Sequence, residues 1–307
     1  MLIAHVAAAK SAWALADNVE ERMGAGQGPT VQRRRLGSEL RRYREAAGLT
    51  IEQAAELIEC SDSKISRIET GRVSVRPLEL RELCRVYGIP EEQQEPLHAL
   101  SRQSRQRTWW QEHHRVLSEG FRTYLGLEAD AHALRTFEIS LVPSLLQTGD
   151  YARALLKAGG VVSDGDVFER LIRIRMTRQE LITRQNGSLR LHAVIDEGVL
   201  RRAVGDPALM RAQLEHLRAM AQLPNVTLRV IPFAAGLHPG MDGPFTLLEF
   251  ADPRDPDLVY VEGHAGPLFV DAPEDVARCR EMFGHLDEVA LLPEESAALI
   301  ETMSVRL

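Results

Sequence analysis

Between residues 36 and 90 the apolar positions recur every three or four residues, the period of helices packed on one side. Leu36, Leu40, Tyr43 and Ala47 share one face, and Ile51, Ala54, Ala55 and Ile58 share the next. Ile65 and Ile68 form a narrow stripe, and Leu78, Leu80, Leu83, Cys84 and Tyr87 line a further helix over Pro77–Tyr87. A fifth helix is predicted over Glu91–Arg107. Thr50 and Ser61 are N-caps by residue type, and Gly71 suits the positive φ wanted at a helix end. The helices over 50–58 and 62–70 leave a turn of about three or four residues between them, the layout of a helix-turn-helix.

From about Gly120 the pattern changes. Phe121–Phe137 reads as helical, Pro143 breaks it, and Ser144–Ala158 and Asp166–Gln185 are helical again. Alternating runs then predict strands at Leu189–Ile195, Val226–Ile231 and Phe245–Phe250, with shorter ones at Leu258–Glu262 and Leu268–Val270. Helices over Pro207–Leu223, Ala272–Leu286 and Pro293–Thr302 fall between or after them. The expected fold class is a mainly α helix-turn-helix domain of five helices, then an α+β domain whose small sheet is mostly antiparallel, judged by its short connections. The domain boundaries follow as an extension and linker at 1–32, the helical domain at 33–107, a docking segment at 108–120 and the α+β domain at 121–307.

The third helix suggests what the first domain is for. Opposite Ile65 and Ile68 it carries Ser63, Ser66, Arg67 and Thr70, small polar or basic groups suited to base edges, and Arg67 can pair bidentately with guanine. The same helix would also serve as an ordinary solvated one. Asp62 suits the helix dipole and either reads a cytosine amino group or only caps. Lys64, Arg42, Thr50 and Gln53 are the candidates for phosphate, and Arg33-Arg34-Arg35 is a basic run beside them.

A net charge of −7 argues against a DNA binder until it is divided. Residues 33–107 hold 15 Lys and Arg against 12 Asp and Glu, leaving 22 against 32 in the rest of the chain. Duplex binding needs a local basic surface rather than a basic protein. Cys60, Cys84 and Cys279 are too scattered for a disulfide framework or a cysteine zinc site, and no apolar run approaches the length of a membrane span. The protein is expected in the cytoplasm, at the nucleoid, with no cofactor or metal. Leu2–Met23 reads as an amphipathic helix before a Gly-rich linker, and residues 1–22 as an upstream extension without an essential role. Trp109-Trp110 reads as an anchor for the second domain, and His113 and His114 lack metal spacing.

The run Leu36-Gly-Ser-Glu-Leu-Arg-Arg-Tyr-Arg-Glu-Ala-Ala-Gly-Leu-Thr50, followed by Ser63-Lys-Ile-Ser-Arg-Ile-Glu-Thr-Gly71, resembles the helix-turn-helix domain of phage-repressor-like and Xre-type regulators. That resemblance implies an ion pair between Arg44 and Glu69, where removing one partner strands a charge at a cost on the order of 3–5 kcal/mol. It also implies Gly after Ile58, where this chain has Glu59. If Glu59 is left-handed, it bears strain of about 1 kcal/mol.

Further on, Tyr124-Leu-Gly-Leu-Glu-Ala, Val142-Pro-Ser-Leu-Leu-Gln-Thr148, Leu191-His-Ala-Val-Ile-Asp-Glu197, Gly236-Leu-His-Pro-Gly240 and Gly243-Pro-Phe-Thr-Leu-Leu-Glu-Phe250 are similar to one actinobacterial family. Its members join an Xre-type domain to an antitoxin-like C-terminal domain, as in the WhiJ-like regulators of Streptomyces. The resemblance covers about residues 30–302. It implies a transcriptional regulator of a double-stranded DNA operator, often paired with a small toxin-like or anti-repressor protein.

Within the second domain, Asp196-Glu197, His238, Asp242, Glu262 and His264 are the polar groups that could mark a site, and His238, Asp242 and Glu262 are the candidates for a partner or effector surface. An acid–base set could be assembled from Asp196, His238 and Glu262, but no nucleophile elbow, phosphate loop or zinc-protease motif accompanies them. The Arg row at 170, 173, 175, 178 and 184 reads as a solvated or subunit-facing surface. The leading expectation is therefore a homodimeric DNA-binding regulator and not an enzyme, whose C-terminal domain mediates dimerisation and control by a small partner protein; the alternative is a one-component small-molecule sensor, ahead of an enzyme in that domain.

Overall fold

A computed structural model describes residues 31–104, 116–160, 165–185, 187–263 and 266–307. The extension at 1–30, Trp109-Trp110, His113, His114 and His264 lie outside these residues. The described chain forms two compact units.

The first unit comprises residues 31–130 with the short segment Asp252–Asp255. Its helices are α1 (Val31–Ala46), α2 (Ile51–Leu57), α3 (Asp62–Glu69), α4 (Pro77–Val86), α5 (Glu91–Gln103) and α6 (Glu119–Asp130). Leu36, Leu40, Ala54, Ala55, Ile65, Ile68, Leu80, Leu83 and Cys84 form one core, drawn from the apolar stripes of α1 to α4. Leu78 departs from this stripe and is exposed.

Four helices of this unit end in the same way. After α1, α2, α3 and α4 the chain turns left-handed at one residue, and the next amide donates back to a carbonyl five residues earlier: Leu49 to Arg44, Cys60 to Ala55, Arg72 to Arg67 and Ile89 to Cys84. This is the Schellman motif, which satisfies carbonyls left over at a helix end. Gly48, Gly71 and Gly88 fill the left-handed position in three cases. Glu59 fills it in the fourth, at φ 55°, the one non-glycine with positive φ among the described residues.

The second unit comprises residues 131–251 and 256–307 as far as described. Its strands are β1 (Ala133–Glu138), β2 (Arg190–Asp196), β3 (Val226–Ile231), β4 (Phe245–Glu249), β5 (Leu258–Gly263) and β6 (Gly266–Val270). Between and after them lie α7 (Gly149–Ala158), α8 (Gly165–Thr183), α9 (Glu197–Arg201), α10 (Pro207–Met220), α11 (Pro273–Val289) and α12 (Pro293–Val305). The strand order is β3-β2-β1-β4-β5-β6.

The sheet is mixed rather than mostly antiparallel. β1, β2 and β3 are mutually parallel, while β1–β4, β4–β5 and β5–β6 are antiparallel. Parallel neighbours need a crossover, and here α7 with α8, then α10, provide two. The antiparallel expectation overlooked β1 because the helical period of Phe121–Phe137 runs on through Leu134 and Phe137. In fact α6 stops at Asp130, and residues 133–138 alternate between sheet faces.

Phe137, Val194, Phe245, Leu247 and Val259 meet Val276, Phe283 and Leu286 of α11 in the core on one face. The free edge of β3 is closed: Val230 donates its amide to Ser296 Oγ and accepts from the Leu291 amide.

Candidate nucleic-acid interface

Thr50 and Gln53 form a capping box at the start of α2. The Gln53 amide donates to Thr50 Oγ1 (3.2 Å) and the Thr50 amide to Gln53 Oε1 (2.9 Å). Two orphan donors of the helix start are thereby satisfied within the chain. Ser61 holds the N-cap position of α3 without a side-chain capping bond.

α3 leans on the core through Ile65 and Ile68, which are 1% and 2% exposed. Asp62, Ser63, Ser66 and Thr70 are exposed on its other side. Thr70 Oγ1 donates to the Ser66 carbonyl (2.8 Å), and Arg67 Nε donates to the Ser63 carbonyl (3.2 Å). The Arg67 bond steadies the side chain along the helix and leaves the two terminal guanidinium nitrogens, the pair that reads guanine, without a partner among the described residues.

The last turn of α3 is fixed from behind. Arg44 of α1 donates to Glu69 through Nε (2.7 Å) and Nη2 (2.9 Å), and through Nη1 to the Leu49 carbonyl (2.7 Å). Both side chains are buried, and the bond to Glu69 raises the Arg44 pKa further. Beside this pair, α1 crosses α3 at Gly37, where a Cβ would lie 2.5 Å from the carbonyl oxygens of Ile68 and Glu69. Gly71, just past the helix, would bring a Cβ within 2.8 Å of the Arg34 amide nitrogen. These close approaches set the angle at which α3 leaves the core.

The phosphate candidates are more engaged than their sequence suggests. Lys64 Nζ donates to Glu79 Oε1 (2.6 Å), and Glu79 Oε2 also accepts from the Arg76 amide. Arg42 is bonded to Glu39 and lies 4.3 Å over the Tyr43 ring. Arg33 is buried and donates to the Ser104 carbonyl, while Arg35 pairs with Asp252 (2.9 Å). Two of the three residues in the basic run are therefore committed inside the unit instead of facing phosphate. Arg72 and Arg76, which sequence reading passed over, are exposed beyond the end of α3 with no ion-pair partner among the described residues. Their position one and five residues past Gly71 was the available signal.

In the second unit the proposed surface residues separate. His238 is buried, with its ring edge-on to Phe137 (centroids 5.6 Å) and Nδ1 accepting from the Gly240 amide. Its Nε2 points toward Asp196 Oδ2 at 3.5 Å, and Asp196 caps α9 through the Gly198 amide. His238 thus pins its loop from within and is not a surface group. Asp242 is exposed, and Glu262 is part-buried within β5. No common site unites these three.

Buried contacts behind α3 and polar groups in front of it define a helix-turn-helix DNA-binding regulator, and residues 35–97 match the family model described as a helix-turn-helix domain. Residues 121–302 match a domain of unknown function, DUF5753, which covers more than half of the chain. The chain belongs to the DUF5753 family. No curated protein matches it.

Proposed function

We propose that the chain is an Xre-type, WhiJ-like transcriptional regulator that binds a specific operator as a homodimer through α3. The observation that carries this reading is the polarity of that helix: Ile65 and Ile68 sealed into the core, Ser63, Ser66 and Thr70 exposed, and Arg67 held with its fork free. Helix-turn-helix proteins commonly bind two half-sites about one duplex turn apart, which is the reason for proposing a dimer. Arg67→Ala should abolish specific operator binding in a gel shift while circular dichroism shows an unchanged fold. Unchanged specific binding would refute the assignment of α3.

On this reading the C-terminal unit carries no catalytic step and sets operator occupancy through a small partner protein. The loop after β3 supports it: Phe233, Leu237 and Met241 are exposed beside Asp242, on a turn anchored by the buried His238. Co-purification of a small protein that is lost on Leu237→Asp would support partner control.

A further inference from the structure

From Thr70 to Arg81, where α3 gives way to α4, the chain holds three arginines and a single acid, Glu79. A carboxylate beside a surface that meets phosphate repels its ligand, so its presence there calls for a reason. Glu79 is also held still. It is the third residue of α4, and its Oε2 accepts from the Arg76 amide (3.1 Å) at the helix start. Its Oε1 accepts from Lys64 Nζ of α3 (2.6 Å). Both side chains are part-buried, Lys64 37% and Glu79 24% exposed.

Capping explains this side chain but not its charge. Glutamine accepts a backbone amide at the third helical position as glutamate does, and Gln53 fills that role at the start of α2. The dipole of a helix start favours an anion at both places, so it does not separate them. What sets Glu79 apart is Lys64 opposite it. Lys64 lies three residues before Arg67, which makes the two neighbours on the surface of α3. From there its ammonium, on a flexible four-carbon stem, reaches either Glu79 or a phosphate flanking α3. Partial burial works against ionisation of Glu79, yet the Lys64 ammonium and the Arg76 amide hold its carboxyl below the usual range.

We propose that Glu79 is an internal stand-in for a DNA phosphate: it holds Lys64 in the free protein and thereby lowers affinity for duplex DNA of every sequence. The proposal rests on α3 being the DNA-facing helix. To contact a phosphate, Lys64 must leave Glu79, so one ion pair is exchanged for another and most of the electrostatic gain is lost. The sequence-independent share of binding comes from neutralised phosphates. Withholding one cation therefore shifts the balance of binding toward the base contacts of α3.

The test uses the full-length chain and a fluorescein-labelled duplex of arbitrary sequence, with affinity read by anisotropy from about 50 to about 200 mM salt. Glu79→Gln keeps an acceptor for the Arg76 amide, and circular dichroism checks that the fold is retained. This variant should bind about threefold or more tightly than the wild type at the low-salt end, with a slope of log K against log salt steeper by about one. Most of the gain should vanish when the same change is made in a Lys64→Ala background. The proposal is overturned if Glu79→Gln binds like the wild type. It is equally overturned if half or more of the gain survives the loss of Lys64, since Glu79 would then act by its own charge alone. A wild type that binds no duplex even at the low-salt end would refute the reading of α3, and this proposal with it; a wild type that binds but is indifferent to Glu79→Gln refutes this proposal only.

Discussion

Single residues here carry strain and charge that the folded chain tolerates for identifiable reasons. Glu59 takes a left-handed turn that three sibling helix ends give to glycine, because the Schellman bonds around it leave no other conformation. Glu59→Gly should therefore raise the stability of the first unit by about 0.5–1 kcal/mol, the Cβ penalty less the entropy cost of glycine, as read by urea unfolding. Glu138 presents the opposite case, a carboxyl raised from 4.5 to about 8 in the fold. In the unfolded chain it ionises near 4.5, so above that pH the fold alone retains the proton and loses relative stability until about pH 8. Glu138→Gln should thus be neutral to stability in acid and increasingly stabilising as the pH rises through that window. A wild-type-minus-variant difference that is flat with pH would contradict this.

At the scale of elements, the orientation of α3 depends on its packing against α1. The helix is only eight residues long, from Asp62 to Glu69, and a helix this short owes its stability to packing rather than propensity. Two features hold its last turn: the fork of Arg44 on Glu69 and the bare backbone of Gly37 against the Ile68 and Glu69 carbonyls. Backbone atoms on both sides of that approach cannot retreat as a flexible side chain would. Gly37→Ala should cost about 1–3 kcal/mol by overpacking. It should also lower operator affinity measured at a temperature where the variant remains folded, because α3 is displaced. Full affinity in a destabilised Gly37→Ala protein would show that the α1–α3 angle does not matter for binding.

For the whole molecule, charge is divided between an N-terminal part with a small positive balance and an acidic remainder. Such a protein cannot rely on a broad cationic surface, so a few free arginines must neutralise the phosphates. With Lys64, Arg42 and Arg35 engaged in ion pairs, Arg72 and Arg76 are exposed just past α3 with no ion-pair partner among the described residues. Replacing either with Ala should weaken binding to all sequences alike and make the slope of log K against log salt shallower by about one for each phosphate no longer neutralised. A loss of sequence preference with an unchanged slope would instead mark the residue as a base reader. Among the described residues no helix is long and apolar enough to cross a membrane.

The helix-turn-helix was legible because its information is local. Stripe spacing, Thr50 and the end glycines lie within a few residues of what they control, and Ile65 with Ile68 already fixed which side of α3 faces outward. The division of charge was equally open to counting. Tertiary structure alone decided the pairing of strands: β1 continues a helical period in sequence and becomes a strand because β2 and β4 bond to it from both sides. It alone also decided the fate of the charged side chains. Lys64 meets Glu79 and Arg35 meets Asp252, partners 15 and 217 residues away. Arg175 and Arg178, read as part of a solvated or subunit-facing row, bond within the unit, Arg175 to Gln147 and Arg178 to Ser144. Periodicity gives the side of a helix on which a residue lies, but the groups it meets there belong to distant parts of the chain. That is why the face of α3 could be read from sequence while the partners of Lys64, Arg35 and Arg175 could not.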